Sequence, residues 1–175
     1  MAEIYWVESF PGRRVAILAR PRGGEALEDD ARELKAKGVD IVVSLLTADE
    51  EGELGLGGEG RALEAQGIKF ISFPIEDCGT PASMSKARAL IAVLVASMKA
   101  GQAIGFHCRA GIGRSPMMAA SVLVASGIPF ERALKELSAA RGWPVPETTE
   151  QVKWVESQAG SPNPPRRGLR PPRSP

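Results

Sequence analysis

A chain of 175 residues, 43% hydrophobic and 25% charged, has the size and composition of one globular domain with one core. A net charge of +1 does not supply the one-sided basic field of a dedicated nucleic-acid or membrane-surface binder. Two cysteines in a chain this long argue against a disulfide scaffold and for a reducing, cytoplasmic compartment in which both thiols are free for chemistry.

Met1 to Phe10 carries Glu3 and Glu8 and no basic segment leading into a long apolar run, so it does not read as a signal peptide. Glu3 to Val7 and Arg14 to Leu18 read as short strands, separated by the turn chemistry of Phe10-Pro-Gly12 and followed by the breaker run Pro21-Arg-Gly-Gly24. Leu27, Ala31 and Leu34 recur at helical spacing between Glu25 and Lys37, and Gly38 stands where such a helix would stop. Val39 to Leu46 reads as a buried strand. A glycine-rich stretch from Gly52 to Gly60 precedes a short helical pattern around Leu63, and Gly67 leads into a strand from Ile68 to Phe73.

Ser83 is placed to cap a helix running to about Lys99, and Gly101 stops it. The most apolar window, Ala89 to Met98, is about half of the ~20 residues a spanning helix needs, so no membrane span is expected. Ala103 to Phe106 is a short apolar strand ending at His107-Cys108. Arg114 to Ser126 reads as a helix that tolerates Pro116 in its first turn, and further helices are expected from Pro129 to Arg141 and from Glu147 to Gln158. Strands alternating with helices predict an α/β fold with a central, mainly parallel sheet flanked by helices. One domain is expected over 1–158. Over 159–175, prolines alternate with Arg166, Arg167, Arg170 and Arg173 and almost nothing is apolar, which predicts a disordered, partly polyproline tail, a solvated extension rather than a docking peptide.

The run His107-Cys-Arg-Ala-Gly-Ile-Gly-Arg-Ser115 falls between a buried strand and a helix start, at the carboxyl edge where open α/β sheets bind ligands. Gly111 and Gly113 permit backbone angles that turn the amides of Arg109, Ala110, Gly111, Ile112 and Gly113 inward as a cradle for an anion, and the following helix adds its positive end. Arg114 offers a planar fork for two phosphate oxygens and for the charge on the equatorial oxygens in a transition state. The Arg109 side chain is expected to point outward. In this setting the sulfur of Cys108 favours the thiolate, the form that attacks phosphorus. Taken singly, Cys108 would be a small buried apolar residue, His107 a core histidine and the glycines a tight turn. Their concurrence with an arginine in one loop ahead of a helix favours chemistry.

The segment resembles the His-Cys-x5-Arg-Ser/Thr signature of the protein tyrosine phosphatase superfamily, and the chain length resembles its compact dual-specificity branch. The likeness is strong over Ile68 to Gly127, fainter over Ala2 to Leu46 and around Gln151, and absent from the tail. It implies a protein tyrosine phosphatase-like fold and a phosphocysteine intermediate on Cys108, with the phosphoryl group clamped by Arg114 and departure of the sulfur aided by the Ser115 hydroxyl. It implies a loop oriented by His107, the one histidine of the chain. It also implies an aspartate acid on an upstream loop. Phe73-Pro-Ile-Glu-Asp-Cys-Gly-Thr-Pro81 resembles that loop and makes Asp77 the candidate, with Glu76 as the alternative; without the resemblance Asp77 is a turn residue or a helix-start acid.

Pro144-Val-Pro-Glu-Thr-Thr-Glu-Gln151 resembles a motif that carries a water-positioning glutamine, which makes Gln151 the candidate for the second half-reaction. Its other reading is a solvent-facing helix residue with Thr148 or Thr149 as cap. The Trp143-Pro144 pair reads as packing. Cys78, next to the acid, is a candidate for a protective disulfide with an oxidised Cys108, as in some relatives.

The implied substrate is a phosphorylated protein or peptide, phosphotyrosine first, with phosphoserine and phosphothreonine also admitted by a shallow pocket. Ala110 and Ile112 stand where relatives acting on phosphoinositides carry lysines, and a phosphoinositide or other small phosphate ester is the alternative. A rhodanese-like sulfurtransferase would use a shorter loop and no acid at Asp77, and a non-catalytic phosphate-binding module usually lacks the cysteine, the arginine or the acid. No cofactor is implied, no metal site is expected from one histidine and two cysteines at this spacing, and nucleic acid is not an expected partner.

Overall fold

Five strands, β1 (Ile4–Trp6), β2 (Val15–Leu18), β3 (Ile41–Ser44), β4 (Lys69–Ser72) and β5 (Ile104–His107), form one sheet in the order β1-β2-β5-β3-β4. The computed structural model describes residues 3–8 and 10–159. β2, β5, β3 and β4 run parallel and β1 is antiparallel to β2 at one edge, so the expected mainly parallel α/β sheet is observed. The tail expected over 159–175 lies outside the described residues except for Ala159, which ends the last helix.

β2, β3 and β5 are buried at every position, which is why they read as continuous apolar runs. Because side chains alternate along a strand, β2 and β3 contribute to two cores. Ala16, Leu18 and Val42 face one side with Ala31 and Leu34 of α1 (Leu27–Ala36) and Leu63 of α3 (Glu59–Ala65). Val15, Ile17, Ile41, Val43, Ile104 and Phe106 face the other, larger core. That side is covered by α4 (Met84–Lys99), α5 (Arg114–Ala125), α6 (Phe130–Arg141) and α7 (Thr149–Ala159). α5 is buried from Arg114 through Val124 and packs against α4, α6, α7, β2 and β5. A helix apolar on all sides belongs at the centre of a fold, and its first turn is thereby held still.

Ser83 caps α4, its side chain accepting from the Lys86 amide, as its position predicts. One helix was not expected: α2 (Ala48–Glu53), which opens with a capping box in which Thr47 and Glu50 satisfy each other's backbone amides. Gly52 lies in its last turn, and the glycine-rich run that follows obscures so short a helix. The strand expected over Val39 to Leu46 is shorter, Ile41–Ser44. Trp143, expected to pack, is 63% exposed: Gly142 ends α6 in the left-handed conformation and the chain turns outward there. No helix among the described residues is long and apolar enough to cross a membrane.

Candidate active site

β5 is the central strand, paired with β2 on one side and β3 on the other, and it delivers Cys108 to the carboxyl edge of the sheet. Cys108 is 3% exposed, and its sulfur accepts a hydrogen bond from the Gly111 amide at 3.3 Å. Gly111 has φ +70, a conformation closed to most side chains. Gly113 lies in a crowded place: a Cβ there would fall on the Glu147 carboxylate and 3.1 Å from Gln151 Nε2, so those side chains would have to shift. Ser115, in the first turn of α5, is buried, and its hydroxyl has no hydrogen-bond partner among the described residues. A buried hydroxyl beside a loop of this kind calls for a functional explanation.

The Arg114 guanidinium is 1% exposed and meets four groups, one of them the Leu45 carbonyl, which accepts from Nη1 at 3.4 Å. Nη1 donates to Glu50 Oε2 at 2.6 Å and to the Ile75 carbonyl at 2.9 Å; Nη2 donates to Glu50 Oε1 at 2.9 Å and meets Asp77 Oδ1 at 2.9 Å. The fork expected for phosphate is therefore engaged along its Nη1–Nη2 edge by Glu50. The edge that Glu50 leaves is Nε–Nη2, where Asp77 touches Nη2. Glu50 is held as the carboxylate, lowered to about 2, first by the Arg114 hydrogen bonds and then by the Thr47 amide, both acting against burial. Glu50 was missed from sequence, although the Thr47-x-x-Glu50 capping pattern was the signal that marked it.

His107 is fully buried, with Nε2 at 2.8 Å from Glu59 Oε1 on the first turn of α3. Both side chains are at most 1% exposed, and Glu59 was not anticipated either. Arg109 does turn outward: it is 46% exposed and pairs with Glu53 at 3.1 Å, so only its backbone belongs to the loop.

Asp77 is 61% exposed on the loop after β4, and it, rather than Glu76, meets Arg114. Gln151 is fully buried, contrary to its solvent-facing reading. It forms a reciprocal cap with Thr148, its amide donating to Thr148 Oγ1 and its Oε1 accepting from the Thr148 amide, while its Nε2 donates to the Gly79 carbonyl at 3.1 Å. Gln151 thus joins α7 to the loop that carries Asp77 and lies against Gly113. Glu147, unassigned from sequence, sits beside the same glycine and 4.0 Å from Cys78 Sγ.

Asp77, Cys78 and Glu147 bring ligand atoms within 4.8 Å of one another, the one group among the described residues that could take a metal, although all three are exposed and Asp77 is already engaged. The Cys78 thiol is pushed up, first by the charge of Asp77 and then by that of Glu147. Cys78 and Cys108 are both free thiols.

Residues 16–128 match the family model Tc-R-P, described as a DSP-PTPase phosphatase of polymorphic toxin systems. Protein tyrosine phosphatase type IVA 3 of Mus musculus is 31% identical over 96 residues, covering 54% of either chain. The chain thus spans about half the length of the curated relatives it matches. Among solved structures, a kinase associated phosphatase with its catalytic cysteine replaced by serine superposes with a TM-score of 0.79 at 22% identity, over 91% of this chain and 97% of that one. The active form of Tk-PTP superposes with a TM-score of 0.71 at 24% identity, over 89% and 95%. These likenesses show the fold.

Proposed function

Because the chain belongs to Tc-R-P, a DSP-PTPase phosphatase family, we propose that it hydrolyses phosphate monoesters of proteins through a phosphocysteine on Cys108. The observation that carries this reading is the convergence of Cys108 and the Gly111 amide in one buried loop with Arg114, whose guanidinium is shared by Glu50 and Asp77.

In the first step the phosphoryl oxygens bind the loop amides from Arg109 to Gly113 and the Nε–Nη2 edge of Arg114. Glu50 keeps the guanidinium in plane from its far edge. Arrival of the phosphate displaces Asp77 from Nη2 and frees it to face the leaving group. The Cys108 sulfur attacks phosphorus, the P–O ester bond breaks, and Asp77 gives its proton to the departing oxygen. In the second step water attacks phosphorus, Asp77 takes its proton, and the P–S bond breaks with the electrons returning to sulfur. The Ser115 hydroxyl supports that thiolate, and Gln151 Nε2, at the junction of the acid loop and Gly113, positions the water. His107, backed by Glu59, orients the loop. Water is the only co-reactant.

Phosphotyrosine is the preferred substrate, with phosphoserine and phosphothreonine admitted. Exposed Asp77 and Glu147 beside the loop oppose a ligand carrying several phosphates, which supports phosphoprotein over phosphoinositide. Two free thiols support a reducing, cytoplasmic setting.

The test is phosphate release, in chelator, from para-nitrophenyl phosphate, phosphotyrosyl and phosphoseryl peptides and soluble phosphoinositides, with thiosulfate and cyanide as a sulfurtransferase control. Turnover of the phosphotyrosyl peptide above all others supports the reading. Vanadate binding without release from any ester would replace it with a phosphate-binding module.

A further inference from the structure

The outer face of the phosphate loop is held by a side chain that takes no part in the reaction described above. Arg141, in the last turn of α6, donates from Nε to the Gly111 carbonyl at 3.2 Å and from Nη2 to the Ala110 carbonyl at 3.4 Å. Its guanidinium lies over the ring of Tyr5 on β1, 4.5 Å from the centroid. Tyr5 in turn donates its hydroxyl to Glu3 at 2.5 Å, and α6 packs on β1. The arginine is thus anchored on an edge strand remote in sequence from the loop it touches.

The two carbonyls it grips belong to consecutive peptide units. The Ala110 carbonyl shares a plane with the Gly111 amide, and the Gly111 carbonyl shares one with the Ile112 amide. In a trans peptide the C=O and N–H point in opposite directions, so fixing one fixes the other. Holding the Ala110 oxygen outward directs the Gly111 N–H inward, where it meets Cys108 Sγ at 3.3 Å. Holding the Gly111 oxygen outward directs the Ile112 N–H the same way. Both planes meet at Gly111, the residue most easily rotated because it lacks a Cβ and already has φ +70. A loop hinged on glycine needs an external restraint to keep its amides toward an anion, and a flipped plane would present a carbonyl oxygen to the phosphate instead.

We propose that Arg141 is a positioning residue that clamps the Ala110–Gly111 and Gly111–Ile112 peptide planes with their amides facing the bound phosphoryl group. The proposal rests on the phosphatase reading for its rate effect, and on geometry alone for its effect on anion binding. Tyr5 serves as the platform over which the guanidinium lies while its Nε–Nη2 edge meets both carbonyls.

The test compares native protein with Arg141→Met, which keeps an apolar stem over Tyr5, and Arg141→Lys, which keeps the charge but cannot bridge two carbonyls. Affinity for vanadate is measured by calorimetry, kcat and KM on para-nitrophenyl phosphate, and folding by Tm. Loss of two hydrogen bonds acting on the cradle predicts vanadate binding weaker by about tenfold and kcat/KM lower by a similar factor in Arg141→Met, at a Tm close to native, with Arg141→Lys between the two. Vanadate affinity within about twofold of native in a folded Arg141→Met would overturn the proposal, as would a loss that vanishes once corrected for the unfolded fraction. If Arg141→Met does not fold, the same two criteria are applied to Arg141→Lys. Native protein that binds vanadate but hydrolyses no ester would end the phosphatase reading while leaving the affinity comparison intact.

Discussion

Glu50 grips both terminal nitrogens of Arg114, at 2.6 and 2.9 Å, and the pair is buried beneath the phosphate loop. The carboxylate occupies the Nη1–Nη2 edge and leaves the Nε–Nη2 edge to the proposed phosphate. It also lays down a pH dependence of stability. Its folded value is depressed from 4.5 to about 2, so its contribution is fully present above 4.5 and is lost as pH falls toward 2. The displacement corresponds to about 3 kcal/mol. Glu50→Gln should lower the unfolding free energy at neutral pH by an amount of that order, and the gap to native should close on acidification through this window. Denaturant titrations of both proteins at neutral pH and near pH 3 check it; a gap independent of pH would remove the assignment.

Asp77 on Nη2 of Arg114 predicts a leaving-group dependence. In the proposed first step it serves the departing oxygen, so Asp77→Asn should hurt most where that oxygen leaves poorly. The loss should be about 10²–10³-fold for phenyl phosphate and much smaller for para-nitrophenyl phosphate, whose leaving group needs little help. Equal losses on both substrates would point to a binding role. Cys108→Ser should abolish turnover of either, by about 10⁴-fold or more.

Gln151 bridges α7, the loop of Asp77 and Gly113, and its proposed role toward the water predicts a split between the two half-reactions. Gln151→Ala should lower kcat about tenfold while leaving kcat/KM nearly unchanged, with a burst of para-nitrophenolate equal to the enzyme concentration. Rapid-mixing kinetics read both quantities, and a matched fall in kcat and kcat/KM with no burst would sink this role.

Glu59 Oε1 lies 2.8 Å from His107 Nε2, both side chains being buried. Glu59→Leu leaves a buried imidazole without that polar neighbour, so stability should fall by about 1–3 kcal/mol. Because His107 precedes the proposed nucleophile, vanadate affinity should fall with it. Thermal unfolding together with calorimetry checks the pair of effects, and an unaltered vanadate affinity in the folded variant would confine Glu59 to a structural role.

Contiguous chemistry was legible in the residues themselves. His107 to Ser115 carries the proposed nucleophile, two glycines and an arginine within one loop, and the apolar runs around it announce a central strand and a buried helix because burial on all sides leaves no polar position to break the pattern. Ser83, Gly38 and Gly101 mark helix ends through local rules of capping and left-handed backbone, and they hold. What only the tertiary structure decided are the partners of that loop. Glu50 lies 64 residues before Arg114, and Arg141 lies 30 after Gly111. Glu59 reaches His107 from a short helix on the other face of the sheet, and Gln151 turns inward although its local pattern allowed either direction. No periodicity encodes such pairings. They depend on the order in which strands are laid side by side, which brings β3 and β5 together and sets their following loops against one another. The sequence alone determines the reactive loop and the class of fold, whereas the side chains that hold its arginine, its histidine and its peptide planes are chosen by long-range packing.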